Sequence, residues 1–282
     1  MYELKVRNKY GKVLQLTQNP NYNIEEVDGL YPADATINTT QNANMNGSLF
    51  NSAYVNNRQI IITLSINYPT ERNRLELYKY FINKYPVRLY YKNKSRNVWI
   101  DGYVKSDPIQ YFAPKERTQI VIECPKPFFN DVEENITEFN AIEALFEFPF
   151  AIDEDGICFS HILTVEEKNI INTGDIETGI RVEMRANGPI SNPTIHNTGT
   201  LDYFKLNLDL ETGDVIRINT MQGEKSVTLE RNGVTANVVG YRAQGSKWLT
   251  AVPGDNLFLI TADALGENML STLIMVDQYQ GA

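Results

Sequence analysis

Apolar and polar residues alternate from the start of the chain. Leu4 and Val6 point one way, Lys5 and Arg7 the other, and Gly11 turns the chain into Val13, Leu14 and Leu16. A period of two marks a half-buried strand, so this stretch predicts a β-hairpin. After an Asn-rich turn, Ile60, Ile62, Leu64 and Ile66 share one face, with Gln59, Thr63, Ser65 and Asn67 on the other; only Ile61 breaks the alternation. Pro69-Thr70 then interrupts, and the period changes. Thr70 is placed to cap a helix and Glu71 suits its first turn. Leu75, Tyr78 and Ile82 recur at helical spacing, flanked by Leu77 and Phe81, and Pro86 is a stop signal. The pattern predicts one helix over 70–84. Aromatic and β-branched runs at 87–91, 98–104 and 119–124 predict further strands. The prolines of C-P-K-P-F-F at 124–129 cannot continue a central strand, which sets the end of a first domain near residue 130.

From Ile170 onward short strand patterns follow one another, most clearly at 180–184, 204–210, 215–218, 226–229 and 257–261. Phe204, Leu206, Leu208 and Leu210 alternate with Lys205, Asn207 and Asp209. Val227 and Leu229 lead through Asn232-Gly233, a type I′ turn signal, into Val234, Ala236 and Val238. Evenly spaced short strands with no long helix predict a β-sandwich or jelly roll. The fold class expected is therefore mainly β, with a helix only in the first domain.

Charge separates the two halves. Residues 1–130 hold 17 Lys and Arg against 11 Asp and Glu, and residues 131–282 hold 9 against 24, within a net charge of −9. An acidic half is poorly suited to phosphate backbones, which need Lys and Arg. In the basic half, Lys92, Lys94 and Arg96 follow Tyr90 and Tyr91. This could read as an RNA-binding platform or as the solvated end of a hairpin. Between Asp131 and Asp155 stand nine carboxylates (Asp131, Glu133, Glu134, Glu138, Glu143, Glu147, Asp153, Glu154, Asp155) and no Lys or Arg. They lack the D-x-[DN]-x-[DN]-G calcium loop and interleave with Ile142, Leu145, Phe146, Phe148 and Phe150, which predicts a solvated acidic connection.

Candidate chemistry is sparse. Cys124 and Cys158 are too few for a disulfide framework or a four-ligand zinc site, and His161 and His196 stand apart from any ligand spacing. No G-x-S-x-G, H-E-x-x-H or P-loop lysine occurs, so no catalytic residue, metal or cofactor is expected. No apolar run reaches the ~20 residues of a membrane-spanning helix. The opening M-Y-E-L-K-V-R-N-K-Y has no apolar core after its basic residues, so no signal peptide is expected. Trp248, in S-K-W-L-T-A-V-P-G-D-N, suits packing on a strand entering a tight turn. Stacking on a sugar ring is the alternative.

Several runs occur in a telling order. Strand residues 13–17 precede I-E-E-V-D-G-L at 24–30. R-N-R-L-E-L-Y-K-Y at 72–80, Y-Y-K-N, W-I-D-G-Y-V at 99–104 and I-V-I-E-C-P-K-P-F-F at 120–129 follow. In the second half come N-T-G-D-I-E-T-G at 172–179, N-G-P-I-S-N-P-T-I-H-N at 187–197, I-N-T…G-E-K-S-V, and W-L-T-A-V-P-G-D-N at 248–256. Over almost its whole length the chain thus resembles the distal tail protein family of siphophages, the hub joining tail tube to host-adsorption apparatus. The resemblance implies a ring-forming belt domain over 1–130, completed by a strand returning near 273–282. It also implies a galectin-like β-sandwich over 131–272 that begins with the acidic segment 131–155. The implied protein is a virion component of the tail tip, made in the bacterial host's cytoplasm. Its implied partners are five further copies of itself, the tail tube protein, a tail-associated hub or lysin protein, and receptor-binding or accessory baseplate proteins. The genome would pass through the ring without sequence-specific contact, and no membrane partner is implied. The alternative function is a carbohydrate-binding adsorption module that contacts the host cell wall.

Overall fold

The computed structural model describes residues 2–44, 46–111, 115–139, 141–144, 160–163 and 167–282; for 141–144 and 160–163 it describes the backbone. The chain forms two compact units, Met1–Val132 with Gln278–Ala282, and Glu133–Asp277. The second is thus inserted between the body of the first and its last five residues. The described structure is mainly β with one α-helix, as the hydrophobic patterning implied.

The first unit is built on an antiparallel sheet. Its strands run in the order Val13–Gln15, Glu3–Asn8, Pro86–Lys92, Asn97–Ser106, Arg117–Cys124, Arg58–Ile66, Tyr22–Asp28. Leu4, Val6, Val87, Leu89, Val98, Ile100, Ile120, Ile122, Ile60, Ile62 and Leu64 all point into one core, which is why each of these strands alternates. The helix Thr70–Tyr80 packs on this core through Leu77. It ends earlier than the spacing suggests and takes no side-chain cap from Thr70, because Pro69 occupies the cap position. Phe81 leaves helical geometry (φ −109°, ψ 67°) to bury its ring, only 2% exposed, and Lys84 sits at φ 74° before the next strand. Tertiary burial of Phe81 outweighs continuation of the helix. Phe129–Asp131 adds to the sheet beside Trp99 and Val98, and Gln278–Tyr279 pairs with Phe129 and Asn130. Residues 273–275 do not take part here, since they lie in Met269–Met275, a strand of the second unit.

The second unit packs two sheets over one core. One sheet runs Asn135–Glu138, Met269–Met275, Thr178–Ala186, Val215–Asn219, Ser226–Arg231, Val234–Asn237, with Thr250–Ala251 beside Thr178–Ala186. The other runs Lys168–Asn172, Gly254–Thr261, Thr194–Asn197, Asp202–Lys205. Ile180, Val182, Met184, Ile216, Ile218 and Leu273 from the first meet Ile170, Ile195, Phe204, Phe258 and Ile260 from the second, a sandwich. The strand expected over 204–210 is broken. Asp202–Lys205 pairs with Thr194–Asn197, while Asp209–Leu210 pairs with Ile190–Ser191. Between them Asn207 N–H donates to Tyr241 O, which draws the backbone out of the sheet. Asn232 and Gly233, at φ 53° and 76°, form the left-handed turn their sequence signals.

Candidate functional site

Arg58 is the most constrained charged residue in the first unit. It opens the Arg58–Ile66 strand opposite Cys124, is 2% exposed, and stacks its guanidinium 4.6 Å from the Phe129 ring centroid. Its donors go to backbone carbonyls. Nε donates to Pro127 O at 2.6 Å, Nη1 to Gly29 O at 2.6 Å and to Tyr31 O, and Nη2 to Gln280 O. Burial lowers its pKa, which the carbonyl fork opposes by solvating the cation. Gly29 permits the approach: at φ +85°, a Cβ there would stand 2.1 Å from Gln59 O. One side chain therefore holds together the loop after Tyr22–Asp28, the Pro127 turn and the returning end. Arg96 repeats the device, donating to Gly281 O with its guanidinium 4.3 Å over Tyr279. Tyr279 OH donates to Asp131 Oδ2, and Ala282 N–H to Leu30 O.

Arg96 is therefore turned onto the chain's own end, apart from Lys92 and Lys94, which are exposed around the Asn93 turn. In the acidic segment, Glu134 pairs with Arg181 at 2.7 Å. Residues 145–155 of that segment, and residues 156–159 with Cys158 after it, lie outside the described residues, as do the side chains of Ile142, Glu143 and His161. Cys124 is buried, and burial pushes its thiol up to about 12. His196 Nε2 lies 3.0 Å from Thr261 Oγ1; burial, with Lys205 nearby, lowers its pKa. Trp248 is half-buried with its ring 5.1 Å from that of Phe204, against the sandwich core. Lys225 and Arg242 sit 5.7 Å and 5.5 Å from its centroid, within cation–π range. Among the described residues, no group of three or more His, Cys, Asp or Glu is gathered to hold a metal.

The feature that sequence reasoning missed is a second hairpin in the first unit. Ala35–Thr40 pairs only with Leu49–Val55, and almost every residue of both strands is exposed. Its register puts Ala35 opposite Val55, Ile37 opposite Ala53, and Thr39 opposite Phe50, on one face. The other face carries Asn38 bonded to Ser52 and Asn51 bonded to Thr40. Two signals were available: Asn46-Gly47 between β-branched runs, and the absence of any charged residue from 35 to 57. The sheet's own edges are blunted instead. Val13–Gln15 is three residues long, and Tyr22–Asp28 is bulged between Ile24 and Glu26 and carries Glu25, Glu26 and Asp28.

These features define a mainly β scaffold in which a sandwich is inserted near the end of a sheet-based unit, with the chain on either side of the insertion paired into that sheet. Residues 173–268, within the inserted unit, match the family model described as the siphovirus-type tail component, C-terminal domain. The resemblance to the phage distal tail protein family is thus borne out. The whole chain has the fold of two solved structures. One is described as SPP1 Dit (gp 19.1), a paradigm of the hub adsorption apparatus in phages infecting Gram-positive bacteria: TM-score 0.68, 12% identity, 99% of each chain covered. The other belongs to the phage P2 baseplate in its activated conformation with Ca: TM-score 0.54, 12% identity, 100% of each chain covered. No curated protein matches the chain by sequence.

Proposed function

We propose that this chain is the distal hub of a siphovirus-type tail, a structural component of the tail tip. The observation that carries the reading is the agreement of two comparisons over one architecture. The inserted sandwich matches the tail-component domain by sequence, and the entire chain shares its fold with a protein described as a hub of the adsorption apparatus. In this reading the belt unit builds a ring, a homo-hexamer stacked on the last ring of the tail tube protein. The galectin-like sandwich carries receptor-binding or accessory baseplate proteins, with a lysin-bearing hub protein below. The role is architectural rather than catalytic: the charges at Arg58 and Arg96 bind the chain's own carbonyls, and the ring of Trp248 packs on Phe204. That packing also weighs against the carbohydrate-binding alternative. The test is to label the chain in purified particles and image the tails. Label at the tail tip, with a six-fold ring in averaged images, is the expected outcome; tails devoid of label would remove the reading.

A further inference from the structure

Resting on the reading of the sandwich as a carrier of other tail-tip proteins, we propose that its Val234–Asn237 edge takes an extended segment of a partner protein as an added strand, with carboxylates of that segment seated on Lys225 and Arg242 beside Trp248. The edge is open. Val234–Asn237 ends its sheet and pairs only with Ser226–Arg231. Val238 N–H donates to Val227 O, so the alternation of an antiparallel ladder turns Val234 and Ala236 toward that partner. It leaves the N–H and C=O of Thr235 and Asn237 facing away from the sheet. All four residues are exposed, Val234 by 68%. Natural edges are blunted by charge, by bulges or by covering chain. The other edges of the sandwich follow that rule. Glu138 sits in Asn135–Glu138, and Lys168 opens Lys168–Asn172. Asp202–Lys205 is covered by bonds from Ala243 N–H to Lys205 O and from Lys247 N–H to Tyr203 O. Val234–Asn237 has none of these devices: its register is regular, and no charge occurs from Asn232 to Tyr241.

Charge selects the occupant. The second unit holds 23 Asp and Glu against 9 Lys and Arg, and six of these cations stand within 2.9 Å of a carboxylate. Lys225 and Arg242 differ. Both are exposed, neither meets a carboxylate among the described residues, and both stand at one ring, 5.7 Å and 5.5 Å from the Trp248 centroid. Two like charges gathered on one indole, in a unit rich in acid, form a small receptor for carboxylates supplied from outside. They lie at the end of the edge away from the Asn232-Gly233 turn. Lys225 directly precedes Ser226–Arg231, and Arg242 directly follows the short helix Val239–Tyr241 beyond Asn237. Strand addition draws its affinity from main-chain bonds and its selectivity from side chains. The segment that fits is therefore extended along Thr235 and Asn237 and acidic at one end only, because the unit's remaining carboxylates repel a longer acidic run. A phosphate polymer would answer the two cations but has no amides for the edge.

The test uses the full chain with Trp99→Phe, so that fluorescence reports Trp248 alone. The probes are fluorescein-labelled peptides of about ten residues, alternating Thr and Val, with three Glu at the start or at the end; the same peptides with Gln in place of Glu are the controls. One of the Glu peptides should bind, change Trp248 fluorescence and slow hydrogen exchange at the Thr235 and Asn237 amides. The double variant Lys225→Gln, Arg242→Gln should weaken binding roughly tenfold, the loss expected for two exposed ion pairs, with its unfolding midpoint unchanged. Thr235→Pro removes an outward N–H and spares the pairing with Ser226–Arg231, and it should weaken binding as well. The inference is overturned if neither Glu peptide binds, if the Gln peptides bind equally well, or if the double variant binds like the wild type. It is also overturned if inorganic polyphosphate binds at Lys225 and Arg242 while the peptides leave both amides unprotected, or if those amides become protected by a second copy without peptide. A chain found at the tail tip that binds no peptide would keep the hub reading and discard the edge site; a chain that binds peptide but is absent from tails would do the reverse.

Discussion

Replacing Arg58 by Met keeps an apolar stem against Phe129 and removes the guanidinium. Hydrogen bonds from a charged donor contribute about 1.5–3 kcal/mol each, so the four to carbonyls amount to about 6–12 kcal/mol gross. Against this stands the cost of burying the cation, several kcal/mol, which the variant recovers. The net loss expected is about 3–5 kcal/mol, all of it in the first unit. The chain's two tryptophans make this measurable, because Trp99 lies in one unit and Trp248 in the other. Trp99 is sensitive to local unfolding: its indole N–H donates to Asp131 O at 3.0 Å, and Arg88 lies 3.6 Å over its ring. In a Trp248→Phe background, urea unfolding followed by Trp99 fluorescence reports the first unit. With a slope of about 2 kcal/mol per M, the midpoint should fall by about 1.5–2.5 M. In a Trp99→Phe background the Trp248 transition should stay in place. A Trp99 midpoint that moves by less than about 0.5 M would show that the carbonyls are satisfied without Arg58, and the clamp argument would be refuted.

The same two reporters check two further expectations, and thermal unfolding checks a third. Gly29→Ala forces a Cβ to within 2.1 Å of Gln59 O and should cost about 3 kcal/mol or more, whereas Gly233→Ala meets nothing within 4 Å and should cost about 1 kcal/mol from its left-handed backbone alone. Asp214 is buried, which opposes its charge, but bonds from Arg231 (Nε to Oδ1 2.9 Å) and from the Glu211 N–H, with the attraction of Arg231, prevail and hold its pKa below the usual range. A lowered folded-state pKa means stability that is complete above the unfolded value near 4 and lost as pH falls through the folded one. The stability gap between wild type and Asp214→Asn should therefore be constant near neutrality and shrink only in acid; a gap that shrinks on going from pH 8 to pH 6 would contradict this. Trp248→Ala should destabilise the second unit by about 2–4 kcal/mol, read by thermal unfolding, and a loss below about 1 kcal/mol would show that the ring does not pack on Phe204.

What could be read from the sequence was whatever repeats locally. Ile60, Ile62, Leu64 and Ile66 spell out a half-buried strand because one core lies under all four, and Asn232-Gly233 spells out a turn because few residues accept positive φ. The helix end was misplaced because Phe81 leaves the helix to enter the core, a tertiary effect with no local mark. The strand over 204–210 kept its buried face but lost its continuity to a bond from Asn207 to Tyr241, far along the chain. Arg58 has no local mark in the sequence, because its partners at Gly29, Tyr31, Pro127 and Gln280 are scattered over the chain. The hairpin of Ala35–Thr40 and Leu49–Val55 is hidden in the sequence because an uncharged, Asn-rich stretch resembles a loop.

The way the second unit is joined to the first has a mechanical consequence. The chain leaves the sheet after Phe129–Asp131 and rejoins it at Gln278–Tyr279, and the register sets Asn130 beside Gln278 and Phe129 beside Tyr279. The ends that lead to the inserted unit, Asp131 and Gln278, therefore emerge side by side. Tension on that unit draws both strands the same way, so the bonds between them bear no shear. The load passes to the pairing of Asn130 and Asp131 with Trp99 and Val98, and to the grip of Arg58 and Arg96 on Gln280 and Gly281. A tug on anything the sandwich carries is thus divided between two covalent tethers, each with its own anchor in the sheet, and cutting one leaves the other under the full force.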